Sequence, residues 1–178
     1  GLADMVLVSG AERYDSPGQI LEWDNSRGEF KHPIFWASLF SKSYKQKYKI
    51  SNEQLSIVSV KNHKQAKENP NALSKKTYTS QDVLNSKKLT EDLRLLDCSR
   101  PCTGSASILL ASEKVAKKNT DTPIWITGIG QKTTSAGFTK NMSLSSMEST
   151  KIAGESALKM SNHNISDVDV AEIHDAFS

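Results

Sequence analysis

The sequence has little of what marks secreted and membrane-bound proteins. It contains two cysteines, which are too few for the disulfide framework of a small secreted domain. No apolar run approaches the roughly 20 residues that cross a membrane. The first ten residues lack the basic start and the small-residue cleavage pattern of a signal peptide. From these absences we expect a cytoplasmic protein in a reducing compartment.

Neither charge nor length selects one function. The 178 residues include 23 basic and 20 acidic side chains, which leave a net charge of +3. So mild a bias fits a protein that handles anionic metabolites but does not require one. The length suffices for one ordinary domain with its own core. The sequence also lacks an initiator Met, and its fifth residue already lies in an apolar run. We therefore expect both ends to be cut from a longer polypeptide.

Short apolar segments predict five strands. Residues 3–12, ADMVLVSGAE, form an apolar run closed by Ser-Gly, which is the pattern of a strand buried on both faces. Further strands are predicted at 93–98, 105–112, 123–133 and 170–173. In the second half of the sequence the strands alternate with helices. This alternation indicates an α/β fold with a mixed sheet.

Helical patterns follow the first strand and recur near the end of the sequence. Helices are predicted at 33–48, 51–70, 79–86 and 145–162, and another begins at the basic stretch EKVAKK. Pro33 fits the first turn of its helix, and Ser51 is typical of an N-cap. The small residues Ala153, Gly154 and Ala157 permit close packing of the last helix. We predict that the segment between the first two strands is an inserted helical-loop subdomain.

The last nine residues, VAEIHDAFS, place a histidine and a carboxylate at the tip of a predicted strand. A neutral imidazole at His174 offers one hydrogen-bond donor. Such a donor suits an enolate or a thioester oxyanion, on which negative charge develops. The alternative is a structural pair in which His174 and Asp175 satisfy the end of the strand. The local pattern leaves both interpretations open.

Two other motifs carry little chemistry of their own. Cys98 and Cys102 match no common zinc spacing, and no helix N-terminus follows Cys98 to lower the pKa of its thiol. We interpret Cys98 as a small buried residue at a strand edge. The small and hydroxyl residues of 99–105 allow a backbone to approach a ligand closely. Gly128-x-Gly130 lacks the third glycine of a dinucleotide fingerprint and indicates a strand-to-loop turn.

Two basic stretches permit a nucleic-acid or a nucleotide interpretation. Lysines at 42–49 lie beside Tyr44 and Tyr48, and aromatic rings of this kind stack on bases. More often such a face is simply solvated. The lysines between 61 and 76 can meet a phosphorylated nucleotide tail through point charges. An ordinary charged surface explains the same stretch.

Four segments carry a resemblance to a known family. They are residues 3–14, the stretch 58–99 with its Lys-Asn-His, Asn-Pro and Asp-Cys motifs, residues 102–116, and the closing VDVAEIHDAFS at 168–178. In this order they resemble the thiolase family, in particular its archaeal and sterol-carrier-protein-type members. The first is similar to the strand that follows the nucleophile helix, and the second to the inserted loop domain. The fourth looks like the His-Asp-Ala/Cys-Phe motif of these members.

The resemblance implies a layered αβαβα fold built from two similar α/β halves, of which this chain holds a part. Residues 1–12 and 93–120 are then the end of the N-terminal half. Residues 13–92 are the inserted helical loop domain, and residues 121–178 are the start of the C-terminal half. The implied activity is acyl transfer between coenzyme A thioesters, as in an acetyl-CoA C-acyltransferase.

Site residues follow from the resemblance position by position. His174 matches the position that hydrogen-bonds a thioester oxygen and stabilises an enolate. Ser99 falls where relatives contact the pantetheine arm of coenzyme A, and Phe177 helps to wall the same pocket. Lys75 and Lys76 lie in the loop region that meets the nucleotide end. The resemblance implies no metal or redox cofactor, because coenzyme A thioesters are substrates. It also implies a homodimer or tetramer and allows a complex with a downstream synthase.

The sequence also departs from the thiolase pattern. Neither Cys98 nor Cys102 matches a catalytic cysteine of the family, and the Gly-His-Pro and Cys-x-Gly motifs are absent. We expect the nucleophilic cysteine upstream of residue 3, and therefore an inert chain when it is isolated. Thr103 stands where most relatives have Asp, which affects the geometry of a turn. Two alternatives remain: a non-catalytic thiolase-like protein that binds acyl-CoA or lipid or acts as a scaffold, and a nucleic-acid-binding module at 42–76.

Overall fold

The order of elements follows the predicted alternation only in part. A computed structural model describes residues 2–13, 28–30, 32–135, 137 and 143–178. The strands are β1 (Met5–Glu12) and β2 (Gly104–Ala111); the helices are α1 (Pro33–Tyr48), α2 (Asn52–Glu68), α3 (Ser80–Asn85), α4 (Glu113–Asn119) and α5 (Glu148–Ser161). Single 3-10 turns occur at Leu95–Asp97 and Ile165–Asp167. Helices α1 to α3 thus lie between the two strands in the chain.

The two strands form an antiparallel ribbon that joins distant parts of the sequence. Met5 pairs with Ala111 and Glu12 pairs with Gly104, in unbroken register between them. Every residue of both strands is exposed. The prediction that residues 3–12 are buried on both faces is therefore wrong for this structure. The apolar pattern is present, but the described residues supply no layer over either face of the ribbon.

Three other predicted strands do not form among the described residues. Residues 93–98 contain a 3-10 turn at Leu95–Asp97 instead, flanked by the isolated bridges Lys88–Arg94 and Cys98–Phe177. Residues 123–133 and 170–173 pair with no strand in the described part of the chain. A strand needs a ladder partner, and local sequence does not specify one. Residues 128–130 instead lie against helix α5, where a Cβ on Gly130 would overlap the carbonyl of Ala153.

Helices α1 and α2 begin where their N-terminal residues predict. Helix α1 starts at Pro33 and ends at Tyr48, and the next residue, Lys49, caps it in the left-handed conformation with φ of 57°. Ser51 caps α2 in a capping box: Gln54 N–H donates to Ser51 Oγ at 3.2 Å, and Ser51 N–H donates to Gln54 Oε1 at 2.8 Å. Within the described ranges, no helix combines the length and apolar character that crossing a membrane requires.

The buried core lies in the helical region, residues 28–30 and 32–99. Trp36, Val83 and Leu93 are the buried apolar side chains among the described residues. The Trp36 indole N–H donates to the carbonyl of Phe30 at 2.7 Å, which satisfies its polar atom. Gly28, at φ of 135°, lies against the Trp36 ring, where a Cβ would overlap it. This region is therefore packed around a small core of its own.

Candidate functional site

The C-terminal segment is joined to the turn that ends the helical region. Ser99 N–H donates to the carbonyl of Ala176 at 2.8 Å, and Ser178 N–H donates to the carbonyl of Asp97 at 2.9 Å. Between these bonds, Cys98 and Phe177 face each other in an antiparallel bridge. Residues 79 positions apart are thereby fixed side by side, since backbone pairing of this kind sets the register of both segments. The pairing brings together Ser99 and Phe177, two of the residues singled out from the sequence.

Helix α2 holds both partners of this pairing. Ser59, which is 5% exposed, donates its hydroxyl to the carbonyl of Leu96 at 2.5 Å. One turn further on, the Asn62 side-chain amide donates to Asp175 Oδ2 at 2.6 Å. Residues three apart on a helix lie on the same face. One face of α2 therefore contacts Leu96 and Asp175, the residues that directly precede the paired segments 97–99 and 176–178.

His174 presents its imidazole to solvent beside this pairing. The residue is exposed, and among the described residues no hydrogen bond joins it to Asp175. The Asp175 carboxylate accepts a hydrogen bond from Asn62 instead. The imidazole is thus not paired with Asp175 in this structure, and its contact with a ligand stays a prediction.

Cys98 lies at the same place, and its thiol is poorly suited to nucleophilic attack. Partial burial, together with the charge of Asp97, raises the pKa of Cys98 to about 11. Its Sγ–H donates to the carbonyl of Arg94 at 3.4 Å. A thiol with such a pKa carries almost no thiolate at neutral pH. The prediction that Cys98 is a small buried residue at a strand edge is met only in part, because Cys98 is half-buried and no strand forms at 93–98; Cys102 is exposed.

The two predicted nucleotide-binding lysines, Lys75 and Lys76, form hydrogen bonds only within their own loop among the described residues. Lys75 Nζ donates to the carbonyl of Asn69, within the loop that follows α2. Lys76 N–H bonds the hydroxyl of Ser74 at 3.4 Å. Both lysines are exposed, and no hydrogen bond or ion pair links either to residues 174–178 in the described structure. Their role in binding remains a prediction.

Charge pairing reduces the basic character of the 42–49 stretch. Lys45 Nζ lies 2.7 Å from Asp92 Oδ1, and both side chains are largely buried. Lys42 Nζ lies 3.2 Å from Glu91 Oε2 on the surface. These pairs withdraw two cations from any nucleic-acid surface at this place. The described residues also contain no group of three or more His, Cys, Asp or Glu side chains arranged to hold a metal.

Helix α2 contacts this site through Asn62 and Ser59, to which the sequence analysis gave no role. The signal for Asn62 was the Lys61-Asn62-His63 motif, which was noted as part of the resemblance without a role for its members. An open groove runs along helix α5. It is lined by residues that include Lys151, Leu158 and His163, and it includes neither His174 nor Ser99. The groove is thus separate from the segment that carries the predicted chemistry.

Comparison with known proteins gives similarity across the whole sequence. The acetyl-CoA acetyltransferase of Methanocaldococcus jannaschii is 33% identical over 187 residues, and that of Methanothermobacter thermautotrophicus is 30% identical over 185 residues. Each alignment covers 100% of this chain and 48% of the relative. The chain therefore spans about half the length of these relatives. No protein-family model matches the sequence.

Two solved structures have the same fold. The Ltp2-ChsH2(DUF35) aldolase superposes with a TM-score of 0.84 at 22% identity, over 99% of this chain and 49% of that one. A monomeric SCP2-thiolase-like protein type 1 from Mycobacterium smegmatis gives a TM-score of 0.71 at 15% identity, over 98% and 39%. The prediction of an α/β fold of this layered type is confirmed. The division into domains at residues 12, 92 and 120 stays a prediction.

Proposed function

Because the chain is related to the thiolase family, we propose that it binds coenzyme A thioesters. We propose further that it is part of an acyltransferase of the acetyl-CoA C-acyltransferase type. The observation that supports this proposal most strongly is the placement of His174. Its imidazole is exposed, while the next residues are fixed beside Ser99 by two backbone hydrogen bonds. A donor fixed in this way stabilises the oxygen on which charge develops when a thioester forms an enolate.

The neighbouring residues have proposed roles around the same ligand. Ser99 is exposed and would contact the pantetheine arm, and the half-buried Phe177 would form part of the pocket wall. Lys75 and Lys76 would attract the phosphates of the nucleotide end. No metal or redox cofactor enters the proposed reaction, because the donor is an imidazole and the substrates are thioesters.

The covalent step of acyl transfer requires a thiolate nucleophile. Cys98 does not supply one, since burial raises the pKa of its thiol to about 11. Neither Cys98 nor Cys102 matches a catalytic position of the thiolase family, so we assign acyl transfer to the full-length protein and only thioester binding to these 178 residues. We further propose that the full-length protein is a homodimer or tetramer that acts in the cytoplasm. An association with a partner such as a synthase is part of the same proposal.

Calorimetric titration of the 178-residue protein with acetyl-CoA and with free coenzyme A tests the binding role. His174→Ala should weaken acetyl-CoA binding by about tenfold, because one hydrogen bond to the thioester oxygen is lost. Binding of free coenzyme A, which has no carbonyl at this point, should not change. His163→Ala is the matched control, since this exposed histidine lies in the α5 groove. Equal losses for both ligands, or no binding by the unaltered protein, would refute the proposed role.

A non-catalytic thiolase-like protein that binds acyl-CoA or lipid, or that acts as a scaffold, is the alternative. The pKa of Cys98 is compatible with it, because neither proposal uses this thiol. Thiolysis of acetoacetyl-CoA by the protein encoded in the complete reading frame separates the two. Turnover supports the acyltransferase, whereas binding without turnover supports the alternative.

A further inference from the structure

The hydrogen bond between Asn62 and Asp175 joins parts of the chain that are 113 residues apart. The amide nitrogen lies 2.6 Å from Oδ2, and the acceptor is a carboxylate, so the bond belongs to the stronger, charge-assisted kind. It is the side-chain contact that holds the residue next to His174. The mechanism proposed above uses the imidazole but assigns no task to either of these two residues.

This bond also limits where the His174 side chain can lie. Residues 170–175 form no helix, turn or strand, so their position depends on the contacts of individual side chains. The Asp175 side chain is held on helix α2, whereas no hydrogen bond joins the His174 side chain to that helix among the described residues. The exposure of His174 agrees with this arrangement. If His174 rather than Asp175 contacted Asn62, the imidazole would lie against α2 and would not be exposed.

Helix α2 is a suitable support because it is itself fixed to the opposite partner. The buried hydroxyl of Ser59 bonds the carbonyl of Leu96, immediately before the turn that carries Ser99. Ser59 and Asn62 lie on one face of a 17-residue helix with a complete capping box. The helix therefore fixes the distance between the Ser99 turn and the His174 segment, in addition to the backbone pairing.

We infer that Asn62 is a positioning residue for His174: by binding the Asp175 carboxylate to helix α2, its amide directs the imidazole toward the thioester site. This inference rests on the proposed function, in which His174 contacts the thioester oxygen. Asn62 itself touches neither the ligand nor the imidazole. Loss of its amide should therefore reduce the contribution of the thioester group to binding and leave the contribution of the rest of coenzyme A intact.

Two measurements on the 178-residue protein test the inference. The first is the ratio of acetyl-CoA affinity to coenzyme A affinity, and the second is the NMR signal of the His174 ring, assigned with His174→Ala. Asn62→Asp removes the donor and places two carboxylates face to face, so the ratio should fall about threefold to tenfold. The ring signal should shift, because the direction of the imidazole is no longer set by the Asp175 bond. Asp175→Ala breaks the same bond from the other side and should give the same two changes.

Two further variants distinguish positioning from general damage. The exchange Asn62→Asp with Asp175→Asn restores an amide-carboxylate hydrogen bond in reverse and should recover most of the ratio. Asn85→Asp is the control, because this exposed helix residue keeps its acceptor oxygen for Gln81 after the change. A proportional loss of affinity for both ligands in Asn62→Asp and Asp175→Ala would indicate a merely structural role and overturn the inference.

The two hypotheses fail in different ways. If the unaltered protein binds neither ligand, the proposed function fails, and the inference is then judged by the ring signal alone. If the unaltered protein binds acetyl-CoA, but Asn62→Asp changes neither the ratio nor the ring signal, the inference is overturned while the proposed function stands.

Discussion

The helical region and the β1–β2 ribbon both contain apolar residues, but only the helical region buries some of them. In the helical region, Leu93 is 1% exposed and Val83 is fully buried. In the ribbon, Leu7 is 65% exposed and Leu109 is 60% exposed. An apolar run therefore predicts that a segment can be covered, but only a packed neighbour makes it so. The candidate site depends on the helical region, because helix α2 and residues 97–99 both belong to it.

The same leucine truncation in each region should give the largest contrast. Leu93→Ala removes a buried side chain from the small core and should lower the free energy of unfolding by about 3 kcal/mol. Leu109→Ala changes an exposed ribbon residue and should alter it by less than about 0.5 kcal/mol. Urea unfolding followed by helical circular dichroism measures both. Similar losses for the two variants would show that the ribbon is covered in solution.

Glycine-to-alanine substitutions compare a closely packed backbone position with an open one in the ribbon. A Cβ on Gly130 would overlap the carbonyl of Ala153 in helix α5, whereas a Cβ on Gly10 of the ribbon would meet nothing within 4 Å. Gly130→Ala should therefore cost about 2 kcal/mol through the displacement of backbone. Gly10→Ala should be neutral or slightly stabilising, because alanine reduces the freedom of the unfolded chain. The unfolding midpoint of each variant is measured by thermal denaturation. Equal midpoints would contradict the close contact between Gly130 and Ala153.

The two cysteines provide the smallest contrast. Cys98 lies in the packed turn with a thiol pKa of about 11, while the exposed Cys102 precedes the ribbon. At pH 8, iodoacetamide should modify Cys102 and leave Cys98 largely unmodified unless denaturant is added. Because the folded pKa of Cys98 exceeds its ordinary value of 9.0, its contribution to stability is complete below about pH 9 and is lost as the pH rises toward 11. Peptide mapping by mass spectrometry after timed labelling follows both residues; faster labelling of Cys98 would contradict the account.

Local signals predicted the helices well, because their determinants lie within a few residues. Pro33 and Ser51 occupy the helix-start positions that their chemistry favours, and the capping box of Ser51 needs only Gln54. The prediction of a strand at 123–133 was wrong. A strand needs a ladder partner from elsewhere in the chain, which local sequence does not specify. The burial of β1 was wrong for the same reason, since burial depends on a neighbouring layer.

The candidate site was predicted in part. His174, Ser99 and Phe177 were named from the resemblance, and the structure joins their segments through the Cys98–Phe177 bridge. The bond from Asn62 to Asp175 was not foreseen, because no local pattern relates residues 113 positions apart. The contact of the His174 ring with a thioester is a proposal that the described geometry permits.

Infrared difference spectroscopy of bound acetyl-CoA, labelled with 13C at the thioester carbonyl, tests the central claim most directly. A hydrogen bond from an imidazole donor weakens the carbonyl bond and lowers its stretching frequency. The account predicts a lower frequency in the unaltered protein than in His174→Ala, with His163→Ala matching the unaltered protein. An identical carbonyl frequency in all three would contradict the claim that His174 donates to the thioester oxygen.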